Sequence, residues 1–534
     1  MTFPRASDLL LHRPVPYLEG QVGYPLEQRL RGTGQKRQEE KGLGIEQSTP
    51  KLWPEHKLKN MASSVAVESV EPALRNVVIA SLHQLLGERL STATGERERH
   101  GKDASYHPCV PPDAVAFPQS TEEVSEIVKI CGRHKVPVIP FGSGTGLEGH
   151  VAALRGGVCV DISRMNRILQ VRPPDLDATV QAGVTHPQLN EHLRGAGLFF
   201  SVDPGANAAL GGMAATRASG TTAVRYGTMR ENVLSLTVVV PDGRVIRTAR
   251  RARKSSAGYD LTRLFIGSEG TLGVITELTV RLHAIPAAIS AATCSFPNVE
   301  VAVKTVIQVI QAGIAVARIE LADATAMGSI IRYSKLELPV APVLWMEFHG
   351  TENGVDEEAK MVQKIATDHG GTHFAWAITP EDRSNLWQAR HDAYFADRAA
   401  WPGTESWATD ICVPISRLAE CITETQKDIA ASFLPAGIIG HAGDGNFHVT
   451  FMLHPNQPKE ITEAERLNQR LVHRALALDG TCTGEHGIGC GKIDFLLAEH
   501  GEAVSVMRAI KTAIDPDNIM NPGKILRIQT PSRS

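Results

Sequence analysis

Three glycine-rich loops, each next to a strand-like segment, limit what the first half of this chain can fold into. They are 142–149, the pair Pro204-Gly205 together with 211–220, and 267–273. Glycine-rich loops leave backbone N–H groups free to converge on the phosphate oxygens of a nucleotide. Any one glycine could mark an ordinary turn. The three loops together predict one long cofactor held between two small sheets.

The first loop matches a dinucleotide-binding fingerprint, so a nicotinamide enzyme with a Rossmann fold has to be considered. Gly144-Thr-Gly-Leu-Glu-Gly149 directly follows a strand-like run. A Rossmann unit also needs a helix of roughly ten or more residues that opens at this loop. Here Gly156-Gly157 soon interrupts the chain, and a strand-like run begins at once. This context argues against a Rossmann fold.

The segments around the loops predict a first domain of short strands with few helices. A capping box at 120–123 begins a helix that leads into a strand at 136–141. Another helix is predicted from about 187 to 194, and Pro286 closes the domain. The remaining strands are predicted at 157–162, 168–171, 178–182, 233–240 and 274–282.

Residues 287 to about 480 have a different pattern, in which strands alternate with longer amphipathic helices. Strands are predicted at 291–296, 315–321 and 343–349, and helices at 299–312 and 356–369. This β-α-β-β-α order indicates an antiparallel sheet with helices on one face.

A hairpin in the same region brings two histidines together. The strand-like runs 436–441 and 447–453 flank Asp444-Gly445, which is a strong signal for a two-residue turn. Counting outward from that turn places His441 directly opposite His448. Their Cβ atoms are then expected to lie roughly 5 Å apart. Two imidazoles at this separation can bind one divalent metal ion.

Glu485 would complete a His/His/carboxylate set with open coordination positions. Ordinary strand histidines are the alternative, but flanking glycines favour a site kept open for a ligand. These glycines are Gly443, Gly445, Gly484 and Gly487. In an extended segment the neighbouring side chains of Glu485 and His486 point in opposite directions. We therefore expect His486 to face away from the metal and to be free to act as a base.

Composition excludes some classes of function. A formal net charge of -3 over 534 residues argues against nucleic-acid binding. No apolar run approaches the roughly 20 residues that a membrane-spanning helix needs, so any membrane contact would be peripheral. The 8 cysteines are dispersed without a Cys-x-x-Cys pair, which indicates a reducing compartment.

Residues 1–66 differ from the rest of the chain. They are rich in Gly, Pro, Gln and charge and have no sustained apolar period, so we expect a disordered N-terminal extension. The extension is a candidate targeting segment, although its acidic residues are unusual for a mitochondrial transit peptide.

Six motifs, in this order, carry a resemblance to a known family. They are Pro140-Phe-Gly-Ser-Gly-Thr-Gly146, Val224-Arg-Tyr-Gly-Thr-Met-Arg230, Gly267-Ser-Glu-Gly-Thr-Leu-Gly273, His441-Ala-Gly-Asp-Gly-Asn-Phe-His448, Gly480-Thr-Cys-Thr-Gly-Glu-His-Gly487 and Met520-Asn-Pro-Gly-Lys524. Over roughly residues 70 to 528 the chain resembles the flavin-dependent 2-hydroxyacid dehydrogenases of the vanillyl-alcohol oxidase and p-cresol methylhydroxylase (PCMH) type. It is most similar to the mitochondrial members that oxidise D-lactate and pass electrons to a cytochrome.

The resemblance implies an α+β fold. A PCMH-type FAD-binding domain of two subdomains would be followed by a ferredoxin-like α+β cap domain that binds the substrate. We assign residues 67–286 to the FAD-binding domain, with its core at about 108–286, and residues 287–488 to the cap. Residues 489–534 are expected to return to the FAD-binding domain.

The resemblance also implies which residues contact a non-covalent FAD. The first loop would hold the pyrophosphate, the other two would line the phosphates and the ring, and Asn521 would touch the isoalloxazine. The cofactor-binding residues are Gly142, Ser143, Gly144, Thr145, Gly146, Pro204, Gly205, Gly211, Gly212, Thr216, Ser219, Glu269, Gly270, Gly273, Ile275 and Asn521.

The resemblance also implies roles for the polar residues of the predicted site. His441, His448 and Glu485 resemble the ligands of a divalent metal, zinc or manganese. His486 resembles the base that removes a proton. Arg390 resembles an arginine that clamps the substrate carboxylate. From the residues alone, Arg390 could equally be a charge on the surface of a helix.

The implied activity is oxidation of a small D-2-hydroxy acid, D-lactate to pyruvate, in mitochondria. Electrons would pass from FAD to cytochrome c or another electron carrier. Several alternatives stay open: glycolate or D-2-hydroxyglutarate as the substrate, oxygen as the acceptor, and a cytoplasmic location. A catalytically idle flavin- or metal-binding protein is the alternative from another class of function.

Overall fold

Two small sheets and a strand pair form the first half of the chain in the computed structural model, which describes residues 71–454 and 456–528. The expected N-terminal extension, residues 1–66, lies outside the described residues. The strands are β1 (Leu90–Ser91), β2 (Ala114–Ala116), β3 (Val138–Phe141), β4 (Val158–Asp161), β5 (Ile168–Arg172), β6 (Asp177–Gln181), β7 (Leu198–Phe199), β8 (Val233–Val239), β9 (Val245–Arg247), β10 (Val274–Arg281) and β11 (His283–Ala284). One sheet has the order β1-β2-β4-β3, the other has the order β5-β6-β10-β8-β9, and β7 pairs with β11.

Eight α-helices accompany these strands in the described residues. They are α1 (Pro72–Leu86), α2 (Thr94–His100), α3 (Thr121–Arg133), α4 (His186–Leu193), α5 (Leu210–Thr216), α6 (Ala223–Tyr226), α7 (Met229–Asn232) and α8 (Leu261–Phe265). Helix α3 begins after Ser120, whose hydroxyl accepts a hydrogen bond from the N–H of Glu123. Side chains from both sheets and from α1, α3 and α4 share one hydrophobic core, which also includes Ile519 and Met520.

A larger antiparallel sheet forms the second half. Its strands are β12 (Ala288–Ser295), β13 (Val316–Ala322), β14 (Val343–Gly350), β15 (Thr372–Ala377), β16 (Glu405–Ala408), β17 (Ile411–Cys412), β18 (Ala436–His441) and β19 (Asn446–Leu453). Their order is β15-β12-β14-β13-β18-β19-β16, and β17 also pairs with β19. The predicted boundary at residue 286 falls between β11 and β12. Because backbone contacts group the described residues into one compact unit, the division into an FAD-binding domain and a cap stays a proposal.

Helices cover both faces of this sheet, so the expectation of helices on one face is wrong. The helices are α9 (Val299–Gln311), α10 (Ala324–Ser334), α11 (Glu352–Asp368), α12 (Pro380–His391), α13 (Ala393–Ala400), α14 (Leu418–Ala430), α15 (Pro458–Ala477), α16 (Ile493–His500) and α17 (Ala503–Ile514). On β14, Leu344 and Met346 pack in a core with α9, α11, α14 and α15. Val343 and Trp345 belong to a second core, with α10, α12 and α13. Alternate residues of one strand therefore bury their side chains on opposite faces.

The C-terminal stretch after α17 extends the first sheet. Val138 on β3 donates its N–H to the carbonyl of Ile519 at 2.8 Å and accepts one from Asn521 at 2.9 Å. These bonds place Asn521 beside the first glycine loop. No helix in the part of the chain that the structure describes is both long enough and apolar enough to span a bilayer.

The histidine hairpin has a longer loop than predicted. Strands β18 and β19 are joined by residues 442–445, and His441 pairs with Asn446 while His448 pairs with Ile439. The expected direct opposition of the two histidines is therefore wrong. His448 pairs with Ile439 and not with His441, a shift of two residues from the predicted pairing. Because side chains alternate between the two faces of a strand, a shift of two leaves both histidines on the same face. Their ring centroids are 5.5 Å apart.

Gly445 closes this loop, and we expect Gly445→Ala to destabilise the protein. Gly445 has φ +78°, and a Cβ there would lie 2.0 Å from the carbonyl oxygen of Val413. Gly403 is a matched control, since it has φ +85° but open space around the Cβ position. Gly403→Ala should lower the free energy of unfolding by about 1–2 kcal/mol, because alanine would have to adopt the left-handed backbone conformation. Gly445→Ala should lower the Tm clearly further, and equal Tm values for the two variants would contradict this packing.

Candidate active site

A cavity of about 490 Å³ lies where the three glycine loops meet. It is lined by every residue predicted to contact the cofactor except Gly205, and by Glu485 and His486. Asn521 reaches the same cavity from the C-terminal stretch. The structure therefore brings together the glycine loops and the Glu-His pair, which are far apart in the sequence.

The glycines keep this cavity open. Gly144 has φ +67°, and a Cβ on it would lie 2.9 Å from the ring of Phe141. At Gly212, which also lines the cavity, a Cβ would meet no atom within 4 Å. Space beside an exposed backbone is what a phosphate or a flat ring needs for a close approach.

A buried polar atom at the cavity has no partner among the described residues. The Oδ1 atom of Asn521 lacks a hydrogen-bond partner, whereas Nε2 of His150 lies 3.5 Å from Oε2 of Glu269. The Nδ2 group of Asn521, in contrast, donates to the carbonyl oxygens of Glu269 and His150. Unpaired buried polar atoms are costly and are expected where a bound molecule supplies their partners. The cavity therefore fits a polar cofactor such as FAD.

Glu269 anchors the loop that carries Glu485 and His486. Its carboxylate accepts hydrogen bonds from the N–H groups of Ile488 and Gly489 at 2.7 and 2.8 Å. Through these two hydrogen bonds, Glu269 connects the third glycine loop to the loop that carries Glu485 and His486.

His441, His448 and Glu485 form a compact set of buried donors. The Nε2 atoms of His441 and His448 lie 3.1 and 3.3 Å from Oε1 of Glu485. All three ligand atoms lie within 4.8 Å of one another. The Nδ1 group of His448 donates to the carbonyl oxygen of Thr409 at 3.0 Å, so its Nε2 lone pair faces the set. Two nitrogen donors and a carboxylate suit zinc or manganese.

His486 lies beside this set rather than facing away from it. Its ring stacks on that of His448, with centroids 4.9 Å apart and planes 6° apart. Its Nε2 atom is 4.0 Å from Oε1 of Glu485. The expected opposite directions of Glu485 and His486 are wrong, because the segment is bent and both side chains reach the same cavity.

Asp410 causes this bend, and the sequence analysis did not identify it. One carboxylate oxygen accepts the N–H groups of Glu485 and His486, both at 2.9 Å, and the hydroxyl of Thr483 at 2.6 Å. The other oxygen accepts from Asn446 at 2.8 Å. Asp410, His448 and His486 also lie close enough to hold a metal ion. Both carboxylate oxygens of Asp410 already accept hydrogen bonds from N–H and O–H groups of the protein. The set of His441, His448 and Glu485 therefore fits a metal ion better than the set that contains Asp410. No motif surrounds Asp410, and its partners are distant in sequence.

The charges at the site are set by burial and by close pairing. Burial lowers the pKa of His486 to about 4, although the Asp410 and Glu485 carboxylates act in the opposite direction. Burial would raise the pKa of Glu485, but His441 and His448 outweigh it and hold that pKa far below its ordinary value. At neutral pH the site therefore presents a carboxylate beside an uncharged His486.

Arg390 lies on α12 and is only 12% exposed, so its interpretation as a charge on the helix surface is wrong. Its Nη2 group donates to Oε2 of Glu320 at 2.8 Å. Its Nε group is buried without a partner. Glu320 is another residue that the sequence analysis missed, although a carboxylate inside an apolar strand is a signal of buried pairing.

Two family profiles match the chain. The one described as "FAD binding domain" matches residues 112–249, and "FAD linked oxidases, C-terminal domain" matches residues 285–525. A probable mitochondrial D-lactate dehydrogenase of Danio rerio is 50% identical over 86% of this chain and 94% of its own length. A mitochondrial D-lactate dehydrogenase [cytochrome] of Arabidopsis thaliana is 50% identical over 84% of this chain and 80% of its own length.

A solved structure with a similar fold is p-cresol methylhydroxylase with substrate bound. It has a TM-score of 0.72 and 19% identity, and the match covers 85% of this chain and 97% of that one. At this identity the likeness concerns the fold alone. It confirms the predicted PCMH-type α+β fold class.

The position of Gly144 in the first glycine loop leads to a test of the cofactor cavity. We expect Gly144→Glu to lose FAD, because a carboxylate would enter the space that a phosphate needs and would repel it. Gly205→Glu is the matched control, since Gly205 also has positive φ, has open space around it and does not line the cavity. FAD content is measured from the absorbance of the purified proteins. Full FAD content in Gly144→Glu would refute the assignment of the first loop to the phosphates.

Proposed function

The chain belongs to the FAD-linked oxidase family, and on this premise we propose that it oxidises a small D-2-hydroxy acid, D-lactate, to the 2-oxo acid. One observation carries the proposal: His486 lies beside a His/His/carboxylate set at the FAD cavity. The assignment of D-lactate is supported by the names of two relatives that are 50% identical to this chain over 94% and 80% of their own lengths.

The site suits two bound groups. FAD would lie against the three glycine loops, and a divalent metal would be held by His441, His448 and Glu485. When bound, FAD supplies the acceptor for the two electrons lost by the substrate, and the metal supplies a positive charge that acidifies the substrate hydroxyl.

The protein's own residues then bind the substrate and move one proton. Arg390 has a free Nε donor for the substrate carboxylate, which would fix the acid in one orientation. His486 is uncharged at neutral pH, because burial lowers its pKa to about 4, so it can accept the hydroxyl proton. Asp410 keeps the backbone of Glu485 and His486 bent, which holds the base next to the metal ligands.

We also propose the acceptor and the location from the same relatives. Cytochrome c or another electron-transfer protein would reoxidise the flavin, and the protein would act in mitochondria. FAD attachment is proposed to be non-covalent.

The first prediction of this proposal concerns stereochemistry. Under argon, D-lactate should bleach the flavin absorbance near ~450 nm, whereas L-lactate should leave it unchanged. Glycolate and D-2-hydroxyglutarate, tested in the same way, decide which acid is preferred. Peroxide release in air would identify an oxidase. Equal rates with both lactate enantiomers would exclude the proposed selectivity, and no bleaching by any of these acids would indicate an idle flavoprotein.

The second prediction separates the base from the metal ligand. His486→Ala should retain FAD and metal but reduce flavin about 10²–10⁴-fold more slowly, the usual contribution of a positioned general base. Glu485→Gln, His441→Ala and His448→Ala should instead lower the metal content of the purified protein. The control is His454→Ala, because the side chain of His454 is 52% exposed and should contribute to neither property. Loss of metal in His486→Ala, or an unchanged rate of flavin reduction, would show that the two roles are wrongly assigned.

A further inference from the structure

One buried carboxylate lies between two of the proposed site residues. Glu320 is on β13, where strand pairing places it opposite His441 on β18. Its side chain is 0% exposed. Its Oε1 atom lies 2.6 Å from Nδ1 of His441, and its Oε2 atom lies 2.8 Å from Nη2 of Arg390.

We propose that Glu320 is a positioning residue that couples substrate binding to metal binding, because its single carboxylate holds both Arg390 and His441. This inference rests on the proposed function, which assigns the arginine to the substrate and the histidine to the metal. It adds that the two binding events depend on one shared residue.

On the histidine side, Glu320 determines which ring nitrogen faces the metal set. An ionised carboxylate can only accept hydrogen bonds, so Nδ1 of His441 carries the hydrogen. The Nε2 atom, 3.1 Å from Oε1 of Glu485, is then left with its lone pair directed at the set. A carboxylate behind a metal-binding histidine also fixes the ring and increases its basicity.

On the arginine side, Glu320 accepts a hydrogen bond from one nitrogen of the guanidinium, so the other N–H groups can bind a ligand. Arginine has five N–H donors in a rigid, planar group. Nη2 of Arg390 is held by Glu320, while Nε stays buried without a partner among the described residues. A buried donor of this kind is expected where a ligand supplies the acceptor.

A neighbouring residue provides a matched control. Glu347 on β14 is also buried and also lies between an arginine and a histidine. Its Oε1 atom is 3.3 Å from Nε of Arg318 and 2.7 Å from Nε2 of His349. Neither partner belongs to the His441, His448 and Glu485 set. Replacing Glu347 therefore removes a buried carboxylate of the same kind that pairs with neither Arg390 nor the metal set.

The experiment compares Glu320→Gln with Glu347→Gln in the full-length, FAD-loaded protein. The affinity for Mn²⁺ is measured without substrate, and KM and kcat for D-lactate are then measured at saturating Mn²⁺. We expect Glu320→Gln to weaken Mn²⁺ binding about 10- to 100-fold. It should also raise KM about tenfold or more, with a smaller change in kcat, because the arginine acts through ground-state binding. Glu347→Gln should stay within about twofold of the parent in both measurements.

Either an unchanged Mn²⁺ affinity or an unchanged KM in Glu320→Gln would overturn the coupling. Equal losses in Glu347→Gln would show that any buried carboxylate on this sheet has the same effect, and would also overturn it. If Glu320→Gln does not retain FAD, Glu320→Asp replaces it, since the shorter side chain cannot reach both partners. If D-lactate does not reduce the parent flavin, the proposed substrate is wrong. The Mn²⁺ comparison still tests Glu320 in that case, and the acid selected by the substrate panel replaces D-lactate for KM.

Discussion

The arrangement of the site depends on the Asp410 carboxylate, which is buried and binds the backbone of the loop that carries Glu485 and His486. By accepting the N–H groups of both residues, it bends the loop so that adjacent side chains reach the same cavity. Burial alone would raise the pKa of Asp410. The interactions of Asp410 with His486, Lys492 and His448, together with the hydrogen bond from Thr483, outweigh burial and hold that pKa well below its ordinary value. Removing one partner from such a buried charged pair typically costs about 3–5 kcal/mol.

The same loop is attached to the cofactor cavity by two further buried groups. Glu269, within the third glycine loop, accepts hydrogen bonds from the N–H groups of Ile488 and Gly489. Lys492 lies 3.1 Å from Glu148, within the first glycine loop, and donates to the carbonyl oxygen of Asp410 at 3.1 Å. Because these contacts join the loop to two of the glycine loops, the distance between the base and the flavin would be set by buried charges.

The large sheet explains why the polar residues share one face. On β13 and β14, apolar residues such as Ile319, Leu344 and Met346 pack against one layer of helices. Glu320 and Glu347 point to the opposite face, where they are neutralised by arginine and histidine partners. A carboxylate can be kept charged inside a protein only with such partners. The Glu320 pairs, with Arg390 and His441, therefore belong to the proposed site, whereas the Glu347 pairs lie on the same face outside it.

Local patterns in the sequence determined much of the fold and the chemical nature of the site. Glycine spacing identified the loops of the cavity, strand-like apolar runs identified most strands, and the motifs around His441 and Glu485 identified the donors. The register of the histidine hairpin could not be read in this way, because the length of its loop depends on how Gly445 packs against Val413. The direction of His486, the partner of Arg390 and the covering of both sheet faces also depended on the tertiary structure. Each is decided by residues that are distant in sequence, such as Asp410 and Glu320. The role of a buried carboxylate depends on which donors the fold brings next to it, and the sequence does not show which donors these are.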